Sequence, residues 1–253
     1  MTDRITWQDA FRKGKAPAVV RALCEAWEEL IATSSDTFHA GAKEPDLTVL
    51  LGEHLRAIKA RTRLTGMWSY EQRMGTLKRV SVKGLRVTEP KRTDIHYFSD
   101  KDEIDLVFEF KKLDHTPSRR NNYTGSEGMD RFVTGQYSLG HPAAMMVGIL
   151  LEHHDDCVPP LMRWLNGADA KLQLHMETVN GQQTRSPSAI FPDHSPFDTE
   201  HMRPPGKGPA HHTILISHLF LGFPNPPRAI VRRQRRQSLI AALEDTTDAA
   251  AEE

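Results

Sequence analysis

The chain reads as an α/β protein, a mixed central sheet flanked by helices, with elements running helix, three strands, helix, strand over residues 44–151. Three observations predict this. Residues 104–111 alternate, with Leu106, Phe108 and Phe110 apolar and Asp105, Glu109 and Lys111 charged, the period-two pattern of a strand with two different faces. Leu47, Leu50, Leu51, His54, Leu55 and Ile58 instead recur at the spacing of a helix with one buried side. Residues 143–151 are an almost unbroken apolar run, as expected of a strand covered on both faces.

Residues 17–32 place Val20, Leu23, Cys24, Trp27, Leu30 and Ile31 at helical spacing and predict a packing helix within an N-terminal helical extension, 1–43. The helix that follows has Pro45 at its first position, where a missing N–H leaves no hydrogen bond unmade, and Glu44 just before it. Residues 77–87, with Leu77, Val80, Val82, Leu85 and Val87, predict the first strand, interrupted or bulged at Gly84. Segments 93–98 and 104–111 are expected to pair as a hairpin across the polar joint 99–103. The polar stretch 115–128 reads as a loop. Met129, Phe132, Val133 and Tyr137 predict a helix that ends near Gly140-His141-Pro142. Beyond residue 151 the sequence predicts a helix over 161–172, a strand over 171–178, a long Pro- and Gly-rich loop over 180–209 and a strand over 213–223. These make up a core elaboration, 152–227, followed by a basic helix and acidic tail, 228–253.

Composition narrows the functional classes. A chain of 253 residues is long enough for one large domain with a substantial core. Lys plus Arg equals Asp plus Glu at 33 each, so no global positive field marks a nucleic-acid binder and local charge placement has to decide. Cys24 and Cys157 are the two cysteines, which excludes a cysteine-rich zinc site and predicts a reducing compartment. No apolar run has the length of a membrane span, and Met1-Thr2-Asp3-Arg4 lacks the opening of a signal peptide. A cytoplasmic location without a membrane partner is expected.

The hairpin carries the chemistry. Pairing its strands brings Asp94 beside Glu109 and Lys111, and two carboxylates with an ammonium on one sheet face form a candidate divalent-cation site with a water-handling group. Asp105 faces the same way but lies about 13 Å from Glu109 at strand rise, so it reads as a polar residue at the strand start. In His153-His154-Asp155-Asp156-Cys157 adjacent side chains point in different directions, which predicts a polar turn rather than a metal site. His211-His212 is weaker still. Gly206-Lys207-Gly208 lacks phosphate-loop spacing, and no Gly-x-Ser-x-Gly elbow is present.

With Asp94 followed by Glu109-Phe110-Lys111, the chain resembles the PD-(D/E)xK, or restriction-endonuclease-like, nuclease superfamily; Thr93 stands where the motif has its proline. The resemblance implies an αβββαβ core over 44–151. It implies Mg²⁺ or Mn²⁺ held by Asp94, Glu109 and the Phe110 carbonyl, with Lys111 orienting the attacking water. An acidic residue on the first helix would support the site. Glu44 continues the line of Leu47, Leu51 and Leu55, while the competing Glu53 lies about 120° off that stripe. Arg131, Gln136 and Tyr137 are the corresponding polar candidates on the later helix. Lys112, Arg119, Arg120 and the C-terminal Arg228, Arg232, Arg233, Arg235 and Arg236 are candidate nucleic-acid contacts; the C-terminal cluster also reads as a docking helix or a solvated face.

The implied activity is hydrolysis of DNA phosphodiesters, in a setting such as the effector of a bacterial anti-phage defence system. The alternative is a non-catalytic or partner-activated nuclease-fold subunit in a multi-protein complex or homo-oligomer, which suits the neutral charge. The intact trio of Asp94, Glu109 and Lys111 favours catalysis.

Overall fold

The computed structural model describes residues 2–74, 77–81, 84–87, 91–207 and 212–226. Helices α1 (Thr2–Lys13), α2 (Ala16–Thr33), α3 (Glu44–Ala57) and α4 (Lys59–Thr62) lead into β1 (Met67–Met74), β2 (Leu77–Ser81), β3 (Gly84–Val87), β4 (Lys91–Ser99) and β5 (Ile104–Leu113). Helices α5 (Pro117–Thr124) and α6 (Asp130–Val133) then precede β6 (Ala143–Leu150). The chain continues through α7 (His154–Leu165), α8 (Ala168–Gln173), β7 (Thr184–Arg185), β8 (Phe197–Met202) and β9 (Thr213–Gly222).

Seven of the strands form one mixed sheet in the order β1-β4-β5-β6-β9-β8-β7. Its centre, β5-β6-β9, is parallel, and antiparallel strands extend it on both sides. Helices cover both faces, which is why β6, in the middle, is apolar at every position and buried throughout. The alternation along β5 sorts its side chains between the two layers. Leu106, Phe108 and Phe110 join Val19, Leu23 and Trp27 of α2 and Leu47, Leu51 and Leu55 of α3. Val107 and Leu113 join Tyr123 of α5, Phe132 of α6 and Leu161 of α7. Each fully buried side chain of this size contributes about 1.5–3 kcal/mol, so these two cores fix the sheet position from which Glu109 and Lys111 project. The second layer packs closely: a Cβ on Gly148 of β6 would sit 2.7 Å from the Phe220 ring, so only glycine fits there.

Several expectations need correction. The first strand of the large sheet is β1, and residues 77–87 supply β2 and β3, a separate two-stranded hairpin. Trp68-Ser69-Tyr70-Glu71-Gln72 has little apolar content, yet Trp68 and Tyr97 form an edge-on ring pair across the β1–β4 ladder. The main helix between β5 and β6 is α5, inside the stretch that reads as a loop. Thr116 caps it by accepting from Arg119 N, and Pro117 opens it. The helix predicted from Met129 is a single turn, α6. The helix expected over 161–172 is split between α7 and α8, and residues 171–178 form no strand beyond an isolated bridge between Met176 and His201. The loop expected over 180–209 contains β7 and β8, which with β9 are strands of the same seven-stranded sheet. Predicted helix 17–32 is α2, the 44–58 helix is α3, and the hairpin is β4–β5 with Ile95 opposite Phe108. The basic stretch from Arg228 onward lies outside the described residues.

Strand β8 has polar residues on both faces, and buried partners satisfy them. Asp198 accepts from Ser217 at 2.6 Å and from the Ala189 N–H at 2.5 Å. On the other face a chain of hydrogen bonds runs from Tyr123 through His218, Thr199 and His201 to the Leu174 carbonyl, each between 2.8 and 2.9 Å. Burial disfavours the imidazolium form, lowering His201 to about 4 and His218 well below its ordinary value.

The consequence is a pH dependence of known sign. The folded protein keeps His201 neutral, whereas the unfolded chain takes up a proton below about pH 6.5. Stability from this residue is therefore complete above pH 6.5 and is lost as pH falls toward 4, by about 3 kcal/mol in all. Urea denaturation between pH 7.5 and 4.5 should show this slope, and His201→Gln should flatten it. An unchanged slope in the variant would refute the linkage.

Candidate active site

Three elements meet at the C-terminal part of β5. The β4–β5 register sets Asp94 across from Glu109, and the Asp94 carboxylate accepts from the Phe110 N–H at 2.8 Å. The first residue of α3 brings Glu44 to the same place, where its carboxylate accepts from Lys111 Nζ at 3.0 Å and from the Lys112 N–H at 2.9 Å. The apolar stripe of α3 faces the sheet, and its N-terminus therefore abuts the end of β5. Glu53, on the outer side of that helix, pairs with Arg56 and the Tyr70 hydroxyl.

The Lys111 ammonium lies in a cage of oxygens. It is 2.7 Å from the Phe110 carbonyl, 2.9 Å from Glu109 Oε1, 3.0 Å from Glu44 Oε1 and 3.9 Å from Asp94 Oδ2. Burial alone would lower the ammonium pKa; Glu109, Asp94 and Glu44 together outweigh it and raise it, so Lys111 is a cation. Glu109 is fully buried. Burial, reinforced by the Asp94 carboxylate, pushes it up to about 8 against the pull of Lys111 and Arg131. Its Oε1 accepts from Arg131 Nη1 at 2.9 Å, and the same nitrogen donates to the Tyr137 hydroxyl at 2.9 Å.

A buried guanidinium holds that brace in place. Arg203, just past β8, donates to the carbonyls of Phe132, Tyr137 and Ser138 at 2.6–2.9 Å, and with longer bonds to those of His141 and Lys207. Sequence reading missed Arg203, because a lone arginine beyond a loop gives no signal of its partners. Gln136, expected alongside Arg131 and Tyr137, is exposed.

The cationic candidates divide. Lys112 donates its ammonium to the Ala40 and Ala42 carbonyls, pinning the segment before α3. Arg120 stacks over the Trp164 ring. Arg119 lies 3.9 Å from Asp114 with two-fifths of its side chain exposed. Lys43, Lys111, Lys112, Arg119 and Asn122 line a cleft of about 520 Å³. Asp105, away from this group, pairs with His96 and His141. His153 caps α7, as a polar turn requires.

Among the described residues no three His, Cys, Asp or Glu side chains gather closely enough to hold a metal ion by themselves. Asp94, Glu109 and the Phe110 carbonyl nevertheless form an all-oxygen donor set. Glu109 Oε2 is buried without a partner. That set fits Mg²⁺, which takes one or two carboxylates and keeps several waters. No described helix is long and apolar enough to cross a membrane. Compared with protein-family models, curated proteins and solved structures, the chain matches none of them.

Arg131 is the testable member of the brace. Arg131→Met removes one of two cations touching Glu109, so the Glu109 carboxyl should titrate at a higher pH than in the wild type. Carboxyl ¹³C shifts followed against pH would show it; a titration that stays or moves down would exclude the brace.

Proposed function

We propose that this protein is a metal-dependent nuclease that hydrolyses DNA phosphodiester bonds, acting as the effector of a bacterial anti-phage defence system. One observation carries the reading. Glu44, Asp94 and Glu109 converge on Lys111 beside a cleft lined by further cations. The succession α3, β1, β4, β5, α5, β6 supports it too, since helix, three strands, helix and strand is the order that the resemblance to PD-(D/E)xK nucleases implies.

Asp94, Glu109 and the Phe110 carbonyl are the residues that would hold Mg²⁺ or Mn²⁺. Such a cation, when bound, polarises the phosphate and lowers the pKa of a coordinated water. Lys111 then orients the attacking water and offsets charge on the phosphate oxygens. The water oxygen bonds to phosphorus as one P–O ester bond breaks; the water loses a proton and the departing alkoxide gains one. Arg131 and Tyr137 keep Glu109 Oε1 in position, and Glu44 draws the Lys111 ammonium toward the cleft.

A second reading, a partner-activated subunit, is favoured by one feature. Lys111 occupies the Phe110 carbonyl and Glu109 Oε1, two donors that a metal ion needs, so a partner that draws Lys111 away would switch the site on.

Glu109→Ala and Lys111→Ala should each slow cleavage of plasmid DNA in Mg²⁺ by at least about a hundredfold with the circular dichroism spectrum unchanged. Asp94→Asn should weaken Mn²⁺ binding in calorimetry, since an amide carries no charge. Full cleavage by either alanine variant, or Mn²⁺ binding unaffected in Asp94→Asn, contradicts the assignment.

A further inference from the structure

Every acid of the charged cluster has an anchor besides Lys111. Asp94 accepts from the Phe110 N–H, Glu109 Oε1 from Arg131 Nη1 and Glu44 Oε2 from the Lys112 N–H. The Lys111 ammonium has no comparable tie. Oxygens alone hold it, and it ends a flexible four-carbon stem. The acids are therefore the fixed frame of the site, and the ammonium is its movable part.

That ammonium stands among the candidate metal donors. It lies 2.7 Å from the Phe110 carbonyl, 2.9 Å from Glu109 Oε1 and 3.9 Å from Asp94 Oδ2, one oxygen from each member of the donor set. A fourth oxygen, Glu44 Oε1, is 3.0 Å from the same nitrogen but sits differently. Glu44 lines the cleft with a quarter of its side chain exposed, whereas Glu109 is fully buried. A short swing of the ammonium toward the cleft breaks its contacts with Phe110 and Glu109 and keeps the one with Glu44.

From this arrangement we infer that Lys111 is a built-in occupant of the metal's place, and that Glu44 is the acceptor that takes its ammonium when a divalent cation enters. This rests on the proposed metal-dependent reading and adds to it the regulation of that site.

Metal loading is then an exchange. Mg²⁺ draws its oxygen ligands to about 2.0–2.1 Å, and like charges at one carbonyl and one carboxylate oxygen repel, so the ammonium leaves as the ion arrives. No covalent bond changes. The exchange gives Glu44 a different part from Asp94 and Glu109. Those two touch the ion, whereas Glu44 acts on it chiefly through Lys111. Arg131, the other cation on Glu109 Oε1, touches neither Phe110 nor Asp94 among its printed partners Ser126, Glu109, Tyr137 and Glu127, so it stays in place. A phosphate in the cleft draws the ammonium the same way as Glu44, and by linkage metal and substrate each favour entry of the other.

Calorimetric titration of Mn²⁺ into the full-length protein tests this. Lys111→Met should bind Mn²⁺ at least about tenfold more tightly than the wild type, although it cleaves more slowly. Glu44→Gln should bind more weakly than the wild type, and its effect should largely vanish when Lys111→Met is also present, the non-additivity expected of residues that act through each other. In the unmodified protein, the ¹⁵N signal of the Lys111 ammonium should shift as Mg²⁺ is added. Binding by Lys111→Met with none by the wild type is the extreme of the same result. Four outcomes overturn the inference and leave the metal-dependent reading standing: Lys111→Met binding no more tightly than the wild type, Arg131→Met tightening binding by the same factor, Glu44→Gln weakening it equally in both backgrounds, or a Lys111 signal unmoved at saturating Mg²⁺. The last of these decides the matter should a variant fail to fold. No Mn²⁺ binding by either the wild type or Lys111→Met overturns the inference and the metal-dependent reading together.

Discussion

The organisation of this molecule turns on one buried ammonium. Lys111 Nζ is surrounded by the Phe110 carbonyl and by carboxylates from β4, β5 and α3, so a single side chain joins the hairpin to the helix that packs beneath it. Charges so withdrawn from water carry a desolvation penalty that mutual attraction offsets only when geometry is good, and removing one partner from a buried pair costs about 3–5 kcal/mol. Replacing such a buried cluster by apolar residues of similar volume is often neutral or stabilising. Such a concentration of charge is what the proposed function requires at this place, and strongly shifted pKa values cluster at functional sites and in structural ion-pair networks alike.

The surroundings keep the cluster rigid. Lys112, next in the strand, faces the opposite way and ties down the segment before α3 with its ammonium while its N–H holds Glu44. Neighbouring lysines on β5 thus serve different ends because strand side chains alternate. On the far side, Arg203 gathers carbonyls of residues 132–141 without a carboxylate partner. Burial accordingly pulls its pKa down to about 10. Through Tyr137 and Arg131 this clamp connects Arg203, 66 residues beyond Tyr137, with the orientation of Glu109.

Much of this was legible in the sequence. The β5 alternation put Glu109 and Lys111 on one face, the turn length of 99–103 made a hairpin that brings Asp94 to them, and the stripe through Leu47, Leu51 and Leu55 pointed Glu44 rather than Glu53 toward the sheet. Each rests on a local period, 2 for strands and 3.6 for helices, that a few residues suffice to define. The misread elements lacked such a period. In β8, Asp198, Thr199, Glu200 and His201 make a polar run that is buried only because Ser217, His218 and Thr213 meet it from the adjacent strand. In α5, Arg119, Arg120, Asn121 and Asn122 conceal a helix whose start is marked by Thr116 and Pro117 alone.

What the sequence determined by itself was the α/β class, the hairpin and the identity of the charged trio, because these follow from side-chain order along single elements. Only the tertiary structure decided that β1 rather than β2 and β3 flanks β4, and that β7, β8 and β9 belong to the same sheet. Strand order depends on which surfaces bury each other across long stretches of chain. The same holds for Arg131, Tyr137 and Arg203. Their roles depend on partners as far as 22 and 71 residues away, brought within hydrogen-bond reach only by packing of the whole domain.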